Sequence, residues 1–136
     1  MNVGLYIHIP FCRFKCSYCD FNAYAGMRSL YESYTRALKS EISNTQYQAA
    51  NFRHPAPELA AGTIYFGGGT PSLLPLPLLA EILAACRDAF SVPRDAEISL
   101  EANPGTVDAA YLNGLRALGV NRLSLGVQSA HQAELD

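Results

Sequence analysis

Four short runs, residues 4–9 (GLYIHI), 63–66 (TIYF), 97–100 (EISL) and 122–127 (RLSLGV), combine β-branched, aromatic and long apolar side chains and each gives way to proline, glycine or a polar residue. Such runs read as strands. Between them the apolar period changes to that of a helix. Ser29-Leu30-Tyr31-Glu32 has the Ser-x-x-Glu form of a capping box, and Leu30, Tyr34, Leu38 and Ile42 then recur every fourth residue. This predicts an amphipathic helix to about Gln48, its stripe a packing surface. A second helix is expected over 77–90, with Leu78, Leu79, Ile82, Leu83 and Cys86 on one side, and a third over 108–118, closed by Gly119. Residues 51–62, which include Pro55 and Pro57, read as a surface connection, and the last residues as the first turn of another helix. Strands alternating with helices make βα repeats, whose right-handed crossovers leave the strands parallel. The expectation is an α/β chain of about four parallel βα repeats in a single domain, residues 1–136.

Each unusual segment follows a strand directly. A cysteine-rich loop follows the first, Gly67-Gly68-Gly69-Thr70-Pro71 the second, Glu101 the third and Gln128 the fourth. In parallel α/β architectures these strand ends share one face, and that face carries the active site. The glycine run lacks the Gly-Lys-Ser/Thr of a phosphate loop and does not fit the dinucleotide fingerprint. Bare backbone there can approach a ligand and offer N–H and C=O groups. Glu101 can hold an ammonium or hydroxyl group by charge-assisted hydrogen bonds, or else pair with an arginine or a helix start. Gln128 offers both donor and acceptor.

Cys12, Cys16 and Cys19 fall within eight residues, while Cys86 lies in an apolar helical stretch and reads as a small core residue. Thiols so closely spaced can all reach one inorganic centre, and thiolates at such intervals commonly hold iron–sulfur clusters. With no fourth cysteine nearby, one iron of a four-iron cluster would lack a protein ligand. Two disulfides, a plain electron carrier, and a zinc tetrahedron completed by His8 or Asp20 are the competing readings. For His8 the packed or hydrogen-bonded reading is favoured over ligation.

No apolar run approaches the roughly 20 residues that cross a bilayer. The start, Met1-Asn2-Val3-Gly4, lacks the basic region of a secretory signal. The expected setting is the cytoplasm. A net charge of −2 without a dense Lys/Arg run gives no footprint for nucleic acid, so a small-molecule partner is expected.

The Cys-x3-Cys-x2-Cys spacing in the setting Tyr6-Ile7-His8-Ile9-Pro10-Phe11-Cys12, followed by Ser17-Tyr18-Cys19-Asp20-Phe21, resembles the radical S-adenosylmethionine (SAM) superfamily. It looks like the branch that holds oxygen-independent coproporphyrinogen III oxidase and the HemW-type haem chaperone. The resemblance implies a TIM-like (β/α)6 barrel, of which this chain would be a truncated N-terminal part. It implies that Cys12, Cys16 and Cys19 hold a [4Fe–4S] cluster whose fourth iron takes SAM, which an electron donor then allows to be cleaved to methionine and a 5′-deoxyadenosyl radical. Gly68, Gly69 and Thr70 match the SAM-binding GGxTP-type motif. Tyr6, Glu101 and Gln128 match SAM-contacting positions, and Tyr18 the aromatic neighbour of the third ligand. The oxidase pattern has a further cysteine two residues after the third ligand, where this sequence has Phe21. That departure favours the chaperone type, with the oxidase as the alternative and haem or porphyrinogen as the expected partner.

Overall fold

The structure, a computed structural model, describes residues 2–50 and 59–134. Its centre is a parallel sheet of β1 (Asn2–Ile9), β4 (Ala60–Gly68), β5 (Glu97–Ala102) and β6 (Arg122–Leu125), in that spatial order. Two short strands, β2 (Phe11–Cys12) and β3 (Tyr24–Ala25), form a separate parallel pair. Helices α1 (Tyr31–Ala50), α2 (Leu76–Ala89) and α3 (Ala109–Leu118) connect the strands of the sheet. Every new strand joins beside the previous one, so the order never reverses as it does in a doubly wound sheet. The sheet is a barrel wall, the α/β arrangement expected.

The alternation of side chains along the strands decides which face meets the helices. Ile7 and Ile9 of β1, Ile64 and Phe66 of β4, and Ile98 and Leu100 of β5 share one face and are buried. They join Leu79, Ile82, Leu83 and Cys86 of α2, Ile42 of α1 and Leu115 of α3 in one core. At about 2 kcal/mol for each large apolar side chain removed from water, this layer is the main stabilising term. The residues of opposite parity, Tyr6, His8, Tyr65, Gly67, Ser99, Glu101, Arg122 and Ser124, lie together on the other face. That face is polar and has no helix over it among the described residues.

Several boundaries differ from expectation. β4 begins at Ala60 rather than at residue 63, because Ala61 N–H donates to Ser91 O at 2.9 Å and Ser91 N–H to Leu59 O at 3.0 Å. β6 ends at Leu125, two residues early, as Gly126 N–H turns to Ala102 O and Val127 N–H closes a tight turn on Leu125 O. The second helix starts one residue sooner than expected. The capping box does not form among the described residues: Arg28–Leu30 is a 3₁₀ turn that takes in Ser29 and Leu30, and Leu30 is exposed. Tyr31 and Thr35 are buried in place of Leu30, while Tyr34, Leu38 and Ile42 pack as the period requires. Of the expected connection over 51–62, residues 51–58 lie outside the described residues. No helix among the described residues is long and apolar enough to cross a membrane.

Candidate functional site

The C-terminal ends of the four long strands surround a cleft of about 500 Å³. Cys12, Cys16, Cys19 and Tyr18 line it from the cysteine loop, Gly68, Gly69 and Thr70 from the end of β4, Glu101 from β5 and Gln128 from beyond β6. Tyr6 is not in its lining. It lies one step below, its ring stacked on Tyr65 at 6.0 Å and 17°. The sequence-derived site is therefore brought together except for Tyr6, which reaches it only through neighbours.

The cysteine loop is closed at its neck. Phe11 and Cys12 pair with Tyr24 and Ala25, and Tyr24 N–H donates to Pro10 O at 2.7 Å. Phe11 anchors the neck in the core against Tyr31, with ring centroids 4.6 Å apart. Inside the loop, Lys15 Nζ donates to Phe21 O at 3.1 Å and to Ala23 O at 3.4 Å, drawing the far limb across. Cys19 N–H donates to Cys16 O at 3.1 Å, a turn that sets these two residues on one curve of backbone. All four cysteines are free thiols. Cys86 is buried in the core, and burial pushes its thiol up to about 11, which keeps it protonated and inert.

Among the described residues, no three His, Cys, Asp or Glu side chains gather closely enough to share a single metal ion. His8 is also engaged: its Nε2 meets Asn22 O at 2.9 Å and its Nδ1 meets the Tyr6 hydroxyl at 3.3 Å. It is a hydrogen-bonded, half-buried residue rather than a ligand. A zinc tetrahedron would need convergence that the loop does not provide. A four-iron cubane differs, since it takes its thiolates at separate corners, and three free cysteines on one loop around a cleft fit it.

The glycine run is built around the cysteine loop. Gly69 N–H donates to Ile9 O at 2.8 Å and Thr70 N–H to Phe11 O at 2.7 Å, so the run clamps the segment that leads into Cys12. Gly68 has φ of +111°, and its N–H donates to Glu101 Oε2 at 3.2 Å. The other oxygen of Glu101 accepts from the Tyr65 hydroxyl at 2.6 Å. That bond, before burial and the carboxylate charge, holds the Tyr65 phenol above its ordinary range. Among the described residues Glu101 has neither an arginine partner nor a helix start to cap. It is fixed as an acceptor at the edge of the cleft. The N–H groups of 68–70, expected together with the C=O groups to be open to a ligand, all donate inside the protein.

Three contributors were not singled out by the sequence. Tyr65 orients Glu101, and its signal was parity: it shares a face with Gly67 and, across the β4–β5 register, with Glu101. Asn103 and Thr106 belong to a turn in which Thr106 N–H donates to Asn103 O at 3.0 Å with Gly105 at φ +79°. The Asn-Pro-Gly order suits a type II turn. Gln128 has φ of +66°, the one non-glycine residue in the left-handed region among the described residues. Such strain is commonly held at functional positions.

The radical SAM superfamily model matches residues 6–135. The heme chaperone HemW of Synechocystis sp. is 44% identical over 135 residues, covering 95% of this chain and 31% of that protein. HemW of Escherichia coli is 40% identical over 134 residues, with 98% and 34% covered. The oxygen-independent coproporphyrinogen III oxidase of Bradyrhizobium diazoefficiens is 40% identical over 129 residues, with 94% and 27% covered. Among solved structures, coproporphyrinogen III oxidase (HemN) from Escherichia coli, described as a radical SAM enzyme, superposes with a TM-score of 0.83 at 32% identity, over 96% of this chain and 29% of that one. The chain spans about a third of the length of the curated relatives it matches.

Proposed function

Because this chain belongs to the radical SAM superfamily, we propose that Cys12, Cys16 and Cys19 hold three irons of a [4Fe–4S] cluster and that SAM takes the fourth. The observation that carries this reading is the shared cleft, in which the three free thiols face the glycine run, Glu101 and Gln128. When bound, the cluster and SAM supply one-electron reduction and radical generation, which belong to the cofactors rather than to the protein. The chain's own share is placement. Glu101, held through both oxygens, presents negative charge without having to reorganise. With the N–H groups of the glycine run engaged, acceptors dominate what the run and Glu101 offer, which suits an ammonium or hydroxyl donor of the ligand. Tyr18 stands exposed beside the third cysteine, and Gln128 closes the side opposite the loop.

Within the superfamily the reading is a haem chaperone of the HemW type, with haem as cargo, an electron donor as partner and the cytoplasm as its compartment. Phe21 supports it, since the oxidase pattern has a cysteine at that position and this chain has an exposed phenyl ring instead. The second reading, a coproporphyrinogen III oxidase, is favoured by the likeness to that enzyme's structure. The test uses the full-length protein, reconstituted anaerobically. The expected result is a reduced cluster whose electron-spin signal changes on adding SAM, and uptake of haem in a fixed ratio to chain. Formation of a vinyl product from coproporphyrinogen at turnover would overturn the chaperone reading, and a spin signal indifferent to SAM would overturn the cluster site.

A further inference from the structure

We infer that Asn103 and Thr70 form a relay of two hydrogen bonds that ends on the Cys12 sulfur and sets the potential of the cluster. The inference rests on Cys12 being a cluster ligand, as proposed above. Asn103 Nδ2 donates to Thr70 Oγ1 at 3.2 Å, and Thr70 Oγ1 donates to Cys12 Sγ at 3.6 Å, a separation that the larger radius of sulfur accommodates.

The direction of the relay follows from proton counting. An amide nitrogen can only donate, so it occupies a lone pair of the threonine oxygen. The single hydroxyl proton of Thr70 is thereby left for the sulfur. Thr70 is 3% exposed, so water does not compete for that proton. Its backbone cannot drift either, since its N–H is fixed on Phe11 O at 2.7 Å, one residue before Cys12. The Asn103 main chain is tied as well: Thr106 donates to its backbone carbonyl from both N–H, at 3.0 Å, and Oγ1, at 2.6 Å. Ser72 then ties Thr106 back to the turn after Thr70, with hydroxyls 2.6 Å apart. The donor follows β5, the relay follows β4 and the sulfur sits on β2, all in place ahead of any cofactor binding.

Reduction adds negative charge that the ligand sulfurs share, so a donor aimed at sulfur stabilises the reduced cluster more than the oxidised one. Losing the donor must therefore lower the potential. The test is a dithionite titration with mediator dyes of the full-length reconstituted protein, followed by electron-spin resonance. Thr70→Val, which keeps the shape and removes the hydroxyl, is expected to lower the reduction equilibrium constant about tenfold, or about 59 mV for a one-electron couple. Asn103→Ala should move it the same way by less. Thr70→Ser, which keeps the hydroxyl, should stay within about twofold of the parent. A Thr70→Val potential equal to the parent's, or a Thr70→Ser potential as low as that of Thr70→Val, would overturn the relay. If Thr70→Val assembles no cluster, Asn103→Ala decides: a potential equal to the parent's refutes the relay, and a lowered one supports it. Failure of the parent protein itself to bind a cluster would instead refute the functional reading on which the relay stands.

Discussion

A methyl group at residue 69 would lie 2.6 Å from the Phe11 carbonyl oxygen and 3.0 Å from that of Ile9. Both are backbone atoms at the root of the cysteine loop, and neither can swing aside. Gly69→Ala must therefore push the loop away from β4, breaking the bonds from Gly69 and Thr70 that clamp it. We predict a loss of about 2 kcal/mol in a urea titration, in the range for overpacking a tight site, with a fall in iron bound per chain after reconstitution. Cys86 tests the opposite end of the thiol series. Its folded value is raised from 9 to about 11, so the fold favours the neutral thiol. That contribution is complete below about pH 9, where the unfolded thiol is also protonated, and is lost as pH rises toward 11. Native protein at pH 8 should alkylate at Cys12, Cys16 and Cys19 while Cys86 reacts only after denaturation, as peptide mass mapping would reveal. At this scale the sequence was legible where residue type alone limits chemistry. Three close cysteines, a glycine run and a carboxylate at a strand end announce a site. What those glycines touch was not legible, because Gly69 is explained by a carbonyl some sixty residues earlier in the chain and by no local pattern.

Helix ends separate signals that work from signals that only look right. Asp108 is extended, at φ −123° and ψ 176°, and its Oδ1 accepts from Tyr111 N–H at 2.7 Å, a true N-cap of α3. At the other end Gly119 adopts φ +101°, and Arg87 donates to the Leu118 carbonyl at 2.9 Å. The Ser-x-x-Glu at the start of α1 has the better motif and the weaker geometry. The 3₁₀ turn Arg28–Leu30 winds Ser29 into helical backbone, from which a side chain cannot turn back to cap the residues that follow. The two sites predict different outcomes from one substitution. Asp108→Ala should cost about 1 kcal/mol in the urea midpoint, the usual value of a cap. Ser29→Ala should stay within about 0.5 kcal/mol, as surface changes do. Equal effects would mean that the serine caps α1 after all. Periodicity located α2 and α3 almost to the residue, because burial against the sheet selects one stripe. It could not supply the β2–β3 pair, whose two-residue strands are shorter than any pattern.

Over the whole molecule, the order of strands and the parity along each strand were both readable, and together they place a polar wall opposite an apolar one. The two outer strands are unequal as edges. In β1 the core-face residues Ile7 and Ile9 are buried, so little apolar side chain stands beside its outer backbone row. β6 has no such cover. All four of its residues are exposed, with Leu125 at 52%, and Val127 extends the apolar edge beyond it. Its apolar side chains belong by parity with the core face, yet no helix covers them among the described residues. A row of unpaired backbone groups flanked by exposed leucine is a template for association. The 136-residue chain by itself should therefore self-associate through β6, its weight-average mass rising with concentration in sedimentation velocity. Leu125→Lys places a charge on the edge without touching the cleft-lining cysteines and should hold the chain monomeric across the same range. A matching change at the other edge, Val3→Lys, should leave association unaltered. If Val3→Lys abolished it and Leu125→Lys did not, β1 would be the sticky edge, and the protection ascribed to its buried core-face residues would be wrong.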